Sequence, residues 1–201
     1  MPQIAIRQKL IAACTAVTFI GAACVLAPGA LAKDVTNLKA LQKKVPFTIY
    51  TPKFTAQVPL TSLTLSKYSK QAVGSNPGKC TYYLTTQYGG GKSPMVVLVQ
   101  SYRCTDPPAP MADVASFKAF GQQLTITTAC PNTSATSEAD CLSGSTATPA
   151  RLLEQQPGTG ETWIPKLPAS GGHLPTTANL TTNLLSVQEI KKVVRSLVSV
   201  D

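Results

Sequence analysis

CTYYLTTQYGGGKSPMVVLVQSYRC, running from Cys80 to Cys104, is the stretch whose reading decides the fold. Thr, Tyr and Leu alternate along the first arm, Gly89-Gly-Gly-Lys-Ser93 interrupts, and Met95-Val-Val-Leu-Val99 follows. Alternation on both sides of a glycine-rich break predicts a β-hairpin. With Cys80 opposite Cys104, Tyr82 meets Tyr102, Leu84 meets Gln100 and Thr86 meets Leu98, and the turn falls around Lys92. The second arm is apolar at consecutive positions, so both its faces are expected to be covered. It is therefore the candidate central strand, with a helix docked along it.

Working towards the N-terminus, Ser62 to Tyr68 alternates as a strand, and Phe47-Thr-Ile-Tyr50 as a shorter one with Phe47 and Ile49 inward. Asp34 can cap a short helix bearing Val35, Leu38 and Leu41 on one side, which Pro46 ends. Lys39, Lys43 and Lys44 lie on its outside or in its last turn, where cations suit the helix dipole.

Towards the C-terminus, Met111 to Phe120 has spacing compatible with helix or strand, and Gln122 to Ala129 reads as strand. Arg151-Leu-Leu-Glu154 and Thr162-Trp-Ile164 suit two further strands joined at Gly158-Thr-Gly160, and Asn179 to Leu185 a last one. Ser186-Val-Gln-Glu189 is a capping box, flanked by Leu185 and Ile190 as a hydrophobic staple. Val187, Ile190, Val193, Val194 and Leu197 form the apolar stripe of the helix it opens, with Lys191, Lys192 and Arg195 towards water. The expected fold is α+β. An antiparallel β-sheet of five to seven strands carries this C-terminal helix and a short N-terminal helix, with two disulfides.

The first 32 residues read as an export signal. Arg7 and Lys9 precede an uncharged run, Leu10 to Leu26, and Ala30-Leu-Ala32 supplies the small-x-small cleavage pattern. Lipid anchoring through Cys24 lacks the large apolar residue expected three positions earlier. Residues 33–201 then form one domain, with 16 basic against 9 acidic residues, a net charge of +7 and four cysteines. The lysines are scattered and no nucleic-acid motif accompanies them, which argues against a nucleic-acid partner. A diffuse positive field suits a solvated, solubilising surface first, and attraction to a cell-envelope polymer or an anionic membrane surface second.

The chemistry-bearing residues are few. Cys80, Cys104, Cys130 and Cys141 lack paired C-x-x-C spacing, so disulfides are expected rather than a metal site. The hairpin register favours Cys80–Cys104, leaving Cys130–Cys141 to close a local loop. Gly89-Gly-Gly-Lys-Ser93 lacks the leading glycine and the strand-to-helix context of a phosphate loop. His173, the only histidine, sits in a Gly-rich loop with no nucleophile elbow elsewhere in the chain. Trp163, the only tryptophan, suits core filling first and a binding platform second. Asn132-Thr-Ser134 and Asn179-Leu-Thr181 match a glycosylation acceptor that matters only in a eukaryotic host. No cofactor is expected.

Val45-Pro-Phe-Thr-Ile-Tyr-Thr-Pro52, the Met95–Gln100 strand, Thr162-Trp-Ile164 and the helix Leu185–Leu197 together resemble a family of bacterial extracytoplasmic domains of unknown function. These domains occur in lipoproteins, in secreted proteins and as the outer parts of anti-sigma regulators. The resemblance covers about a third of the mature chain. It implies an exported α+β domain and transfers no functional residue. The expected function is a non-enzymatic binding or envelope-associated module, with Trp163 and His173 as candidate binding-surface residues. The alternatives are a carrier holding an apolar ligand between sheet and helix, and a small secreted hydrolase using His173.

Overall fold

The computed structural model describes residues 37–67, 82–102, 111–130, 141, 148, 151, 153 and 159–200. The segment 1–32, with Cys24, lies outside them, as do Asp34, Cys80, Cys104 and Asn132.

Seven strands form one antiparallel sheet: β2 (Leu60–Lys67), β3 (Tyr82–Gly89), β4 (Met95–Ser101), β5 (Met111–Ala119), β6 (Gln122–Ala129), β7 (Thr159–Leu167) and β8 (Thr176–Asn183). Their spatial order is β2-β3-β4-β8-β7-β6-β5. A two-stranded ribbon, β1 (Tyr50–Pro52) with β9 (Leu197–Ser199), accompanies the sheet. The helices include a short one at residues 37–42 and the C-terminal helix Val187–Arg195, and Cys141, Arg151 and Leu153 are helical as well. The α+β class is therefore observed.

The β3–β4 hairpin adopts the register its alternation predicts: Leu84 faces Gln100 and Thr86 faces Leu98. Gly89 begins the turn with φ +66°, and a Cβ there would lie 2.1 Å from the Pro94 carbonyl oxygen, so only glycine closes it. Met111–Ala119 is a strand, not a helix, because pairing with β6 overrides its three-residue apolar spacing.

One face of the sheet carries the core. Leu84, Val96, Leu98, Leu124, Ile126, Ile164 and Leu180 are buried on it. The C-terminal helix covers one end of that face with Ile190, Val193 and Val194. It crosses nearer β5 and β7 than the hairpin arm expected to receive it. Lys191 and Arg195 lie over the Phe117 ring of β5 at 6.0 and 5.6 Å. In β7, a Cβ on Gly160 would come within 2.8 Å of Ile190 Cδ1, so the bare glycine permits the close approach. The short helix covers the other end, with Leu38 packed among Phe47, Ile49, Leu84 and Val200.

Between the helices, Val45 to Tyr50 is buried apart from Pro46 and held by two buried glutamines. Gln42 donates to the Phe47 carbonyl (2.8 Å) and accepts from the Ile49 amide (2.6 Å). Gln100 of β4 accepts from the Tyr50 amide (2.6 Å) and donates to the Tyr50 carbonyl (2.9 Å). Each side-chain amide thus replaces a strand neighbour, satisfying backbone groups that burial would otherwise leave unpaired. On the other side, the Thr48 amide donates to the Leu174 carbonyl (2.9 Å), and the Thr176 hydroxyl donates to the Thr48 carbonyl.

Three local expectations are corrected. Arg151 and Leu153 are helical rather than extended, and Leu153 is buried in the main core beside Ile190. Thr159 and Gly160 belong to β7 instead of forming a turn. The helix stops at Arg195, so Leu197 extends the core from β9 and not from the helical stripe.

Candidate binding surfaces

The alternation that buries one side chain on the core face sends the next to the opposite face of the sheet. That second face has no covering element among the described residues, contrary to the expectation for the doubly apolar arm, and Val97 and Val99 are half-buried there. Cross-strand pairing aligns its residues into rows. One row runs through Thr64, Thr85, Val99, Asn179 and Trp163. The next runs through Gln87, Val97, Thr181, Glu161, Thr127 and Asp113, reaching the β5 edge.

Trp163 stands on this face and is 42 % exposed, so the expectation that it fills the core is wrong. Its neighbours Thr162 and Ile164 take the inward positions, both fully buried. A strand places only every second residue inside, and β7 spends those positions on smaller side chains. Asn179 is the direct partner of Trp163 in β8. As a central-strand residue it sits on the sheet rather than on a loop.

The helical layer is different in charge. Lys39, Lys43 and Lys44 are exposed at the short helix, Lys53 just after β1, and Lys192 and Arg195 on the C-terminal helix, where Lys191 is half-buried. Lys192 lies 5.8 Å from the Phe54 ring centre, so its stem rests on apolar surface while its charge reaches water. The acid described on this layer is Glu189, engaged in its cap. Glu189 accepts from the Ser186 amide (2.9 Å) and hydroxyl (2.7 Å), while the Ser186 hydroxyl accepts from the Glu189 amide (3.3 Å). The Ser186 amide, then its hydroxyl, holds the Glu189 carboxyl below the ordinary glutamate range. The other described acids, Glu161 and Asp113, lie in the same row of the open face. Cations are therefore concentrated on the helical layer, where the one described acid is capped, whereas the sheet carries Lys67, Lys118 and Lys166 together with Glu161 and Asp113.

His173 lies in the turn after Gly171-Gly172, with its amide donating to the Ser170 carbonyl (2.9 Å). Its side chain is half-buried and, among the described residues, no hydroxyl or carboxylate hydrogen-bonds to its ring. Trp163 and His173 are not joined into one constellation by any described contact. Among the described residues no group of three His, Cys, Asp or Glu side chains could hold a metal ion.

A carrier would need space between sheet and helix. Ile190, Val193 and Val194 fill that interface, and a methyl group on Gly160 would press on Ile190 Cδ1 at 2.8 Å. A depression of ≈ 450 Å³ instead lies beside the hairpin turn, bordered by Val58, Thr61, Gln87, Gly90 and Ser93 among others. It is shallow, and none of its lining side chains is ionisable.

Cys130 and Cys141 are joined by a disulfide, as expected, with Cα atoms 4.9 Å apart. A disulfide is compatible with an extracytoplasmic location. No helix among the described residues is long and apolar enough to cross a membrane. No protein-family model, curated protein or solved structure matches the chain.

Proposed function

We propose that the protein is an exported, non-enzymatic envelope module whose cationic helical layer lies against an anionic membrane surface. The observation that carries this is the concentration of cations on that layer. Lys39, Lys43, Lys44, Lys53, Lys191, Lys192 and Arg195 belong to the layer on which Glu189 is the described acid. Each cation held near anionic headgroups contributes about 1 kcal/mol, so a few acting together give salt-sensitive association. The export pattern of residues 1–32 and the resemblance to bacterial extracytoplasmic domains support the same location.

A second bridge, Cys80–Cys104, belongs to this proposal. The β3–β4 register pairs Leu84 with Gln100, and the same register carried four residues outward on each strand would set Cys80 opposite Cys104. Intact mass of protein secreted without reductant tests both points. It should match a chain beginning at Lys33 and lacking the four hydrogens that two disulfides remove.

Co-sedimentation with vesicles tests the partner. Phosphatidylglycerol-containing vesicles should retain the protein and pure phosphatidylcholine vesicles should not. The triple variant Lys191→Glu, Lys192→Glu, Arg195→Glu should lose retention while remaining folded. Retention only on an anionic wall polymer, with none on vesicles, would keep the charge argument and overturn the membrane assignment.

A further inference from the structure

We infer that the open face of the sheet is a binding platform for a neutral polysaccharide, centred on Trp163 and Asn179. This uses the surface opposite the one that meets the membrane, and draws on the reading above only for the compartment in which the partner is found.

The inference starts from what the face displays. Trp163 is exposed in mid-strand, paired with Asn179 of β8, while the preceding residues Gly160 to Thr162 pair with β6 as well. A tryptophan so placed offers a rigid apolar plane. The axial C–H groups of a pyranose ring form a matching apolar patch, while its rim carries hydroxyls that need hydrogen-bond partners. Asn179, directly opposite Trp163, offers both an amide donor and a carbonyl acceptor. Thr181, two residues further along the same face, adds a hydroxyl that donates and accepts. Gln87 and Thr127 extend the same chemistry towards the two sheet edges. Apolar planes with a few fixed polar groups are what small-ligand and oligomer sites use to orient a bound molecule.

Other occupants fit less well. A protein partner would need a continuous apolar interface core, whereas on this face Tyr83, Met95, Val97, Val99 and the Trp163 ring are interleaved with Thr85, Gln87, Asn179, Thr181 and Glu161. A nucleic acid or an anionic polymer would meet Glu161 and Asp113 on the same row, where like charge repels phosphate or carboxylate. A neutral, hydroxyl-rich chain encounters neither difficulty. Five inter-strand steps of about 4.8 Å make the longer row roughly 24 Å across, which suits an extended polymer rather than a single sugar.

The chain contains one tryptophan, so its fluorescence reports this face alone. Full-length mature protein would be titrated with soluble oligomers of β-1,4-linked glucose, β-1,4-linked N-acetylglucosamine and α-1,4-linked glucose, with polygalacturonate as the acidic comparator. At least one neutral oligomer should give a saturable change in Trp163 emission that persists in high salt. By calorimetry, Trp163→Ala and Asn179→Ala should each weaken that binding at least tenfold, with melting temperatures close to wild type. Trp163→Phe, which keeps an aromatic plane, should recover much of the loss. Silence with every neutral oligomer, binding of polygalacturonate alone, or undiminished binding by Trp163→Ala would overturn the proposal. Vesicle retention by the helical layer is measured separately, so either surface can fail without the other.

Discussion

Gln100→Leu is the substitution that most sharply tests how the N-terminal segment is anchored. Gln100 is fully buried in β4, and its side chain satisfies both the amide and the carbonyl of Tyr50, fifty residues earlier in the chain. Leucine nearly preserves the volume but offers neither a donor nor an acceptor. Two buried backbone groups then lose their partners, each at about 1–3 kcal/mol, against a small gain from burying a more apolar side chain. A net loss of roughly 3 kcal/mol is expected, a large share of the 5–15 kcal/mol typical of a domain. For a chain of this size that lowers the melting temperature by about 6–12 °C. Urea denaturation should show the midpoint moving without a change in slope. Gln100→Glu keeps the acceptor for the Tyr50 amide but sets a carboxyl group against the Tyr50 carbonyl, and should be at least as damaging near neutral pH. A loss below about 1 kcal/mol in Gln100→Leu would refute the reasoning, because the segment would then be held by packing alone.

Gly160→Ala should cost about 1–3 kcal/mol in thermal unfolding, because the new methyl meets Ile190, Leu153 and Thr182 within 3.1 Å. Ser186→Ala should cost about 1 kcal/mol through loss of the capping box. The Glu189 carboxyl is held low in the fold, so its contribution is complete above the unfolded-state pKa of about 4.3 and is lost as pH falls through the lower folded value. A comparison of wild type with Ser186→Ala by thermal melts from pH 7 to pH 3 should therefore show the gap closing on acidification. Reducing the Cys130–Cys141 bridge should lower stability by on the order of 3 kcal/mol, measured by melting with and without reductant.

Much of this architecture is legible in the chain because it is local. The β3–β4 register follows from alternation on either side of Gly89-Gly-Gly, and the C-terminal helix from Ser186, Glu189 and the staple pair Leu185 and Ile190, both buried as expected. What escapes local pattern is set by distant partners. Nothing near Gln42 or Gln100 signals that each will bond to the Phe47–Tyr50 backbone, since those contacts exist only once the sheet has formed. Leu197 extends the helical stripe on paper, but pairing opposite Pro52 captures it for β9.

The surfaces divide in the same way. The basic residues of the helical layer can be read as the outside of two amphipathic helices. That Glu161 and Asp113 would share one row required the order β7-β6-β5, which no single strand reveals. Trp163 shows the limit most clearly. Its residue type favours burial, but the parity of β7 assigns the inward positions to Thr162 and Ile164.

The measurement that bears most directly on the two-sided account is aqueous quenching of Trp163 while the protein is held on phosphatidylglycerol vesicles. With the helical layer against the membrane, acrylamide should quench the bound protein as efficiently as the free protein, and brominated lipids should leave the emission unchanged. Shielding of Trp163 from acrylamide on binding, or quenching by the lipid, would place the sheet face against the membrane and contradict the account.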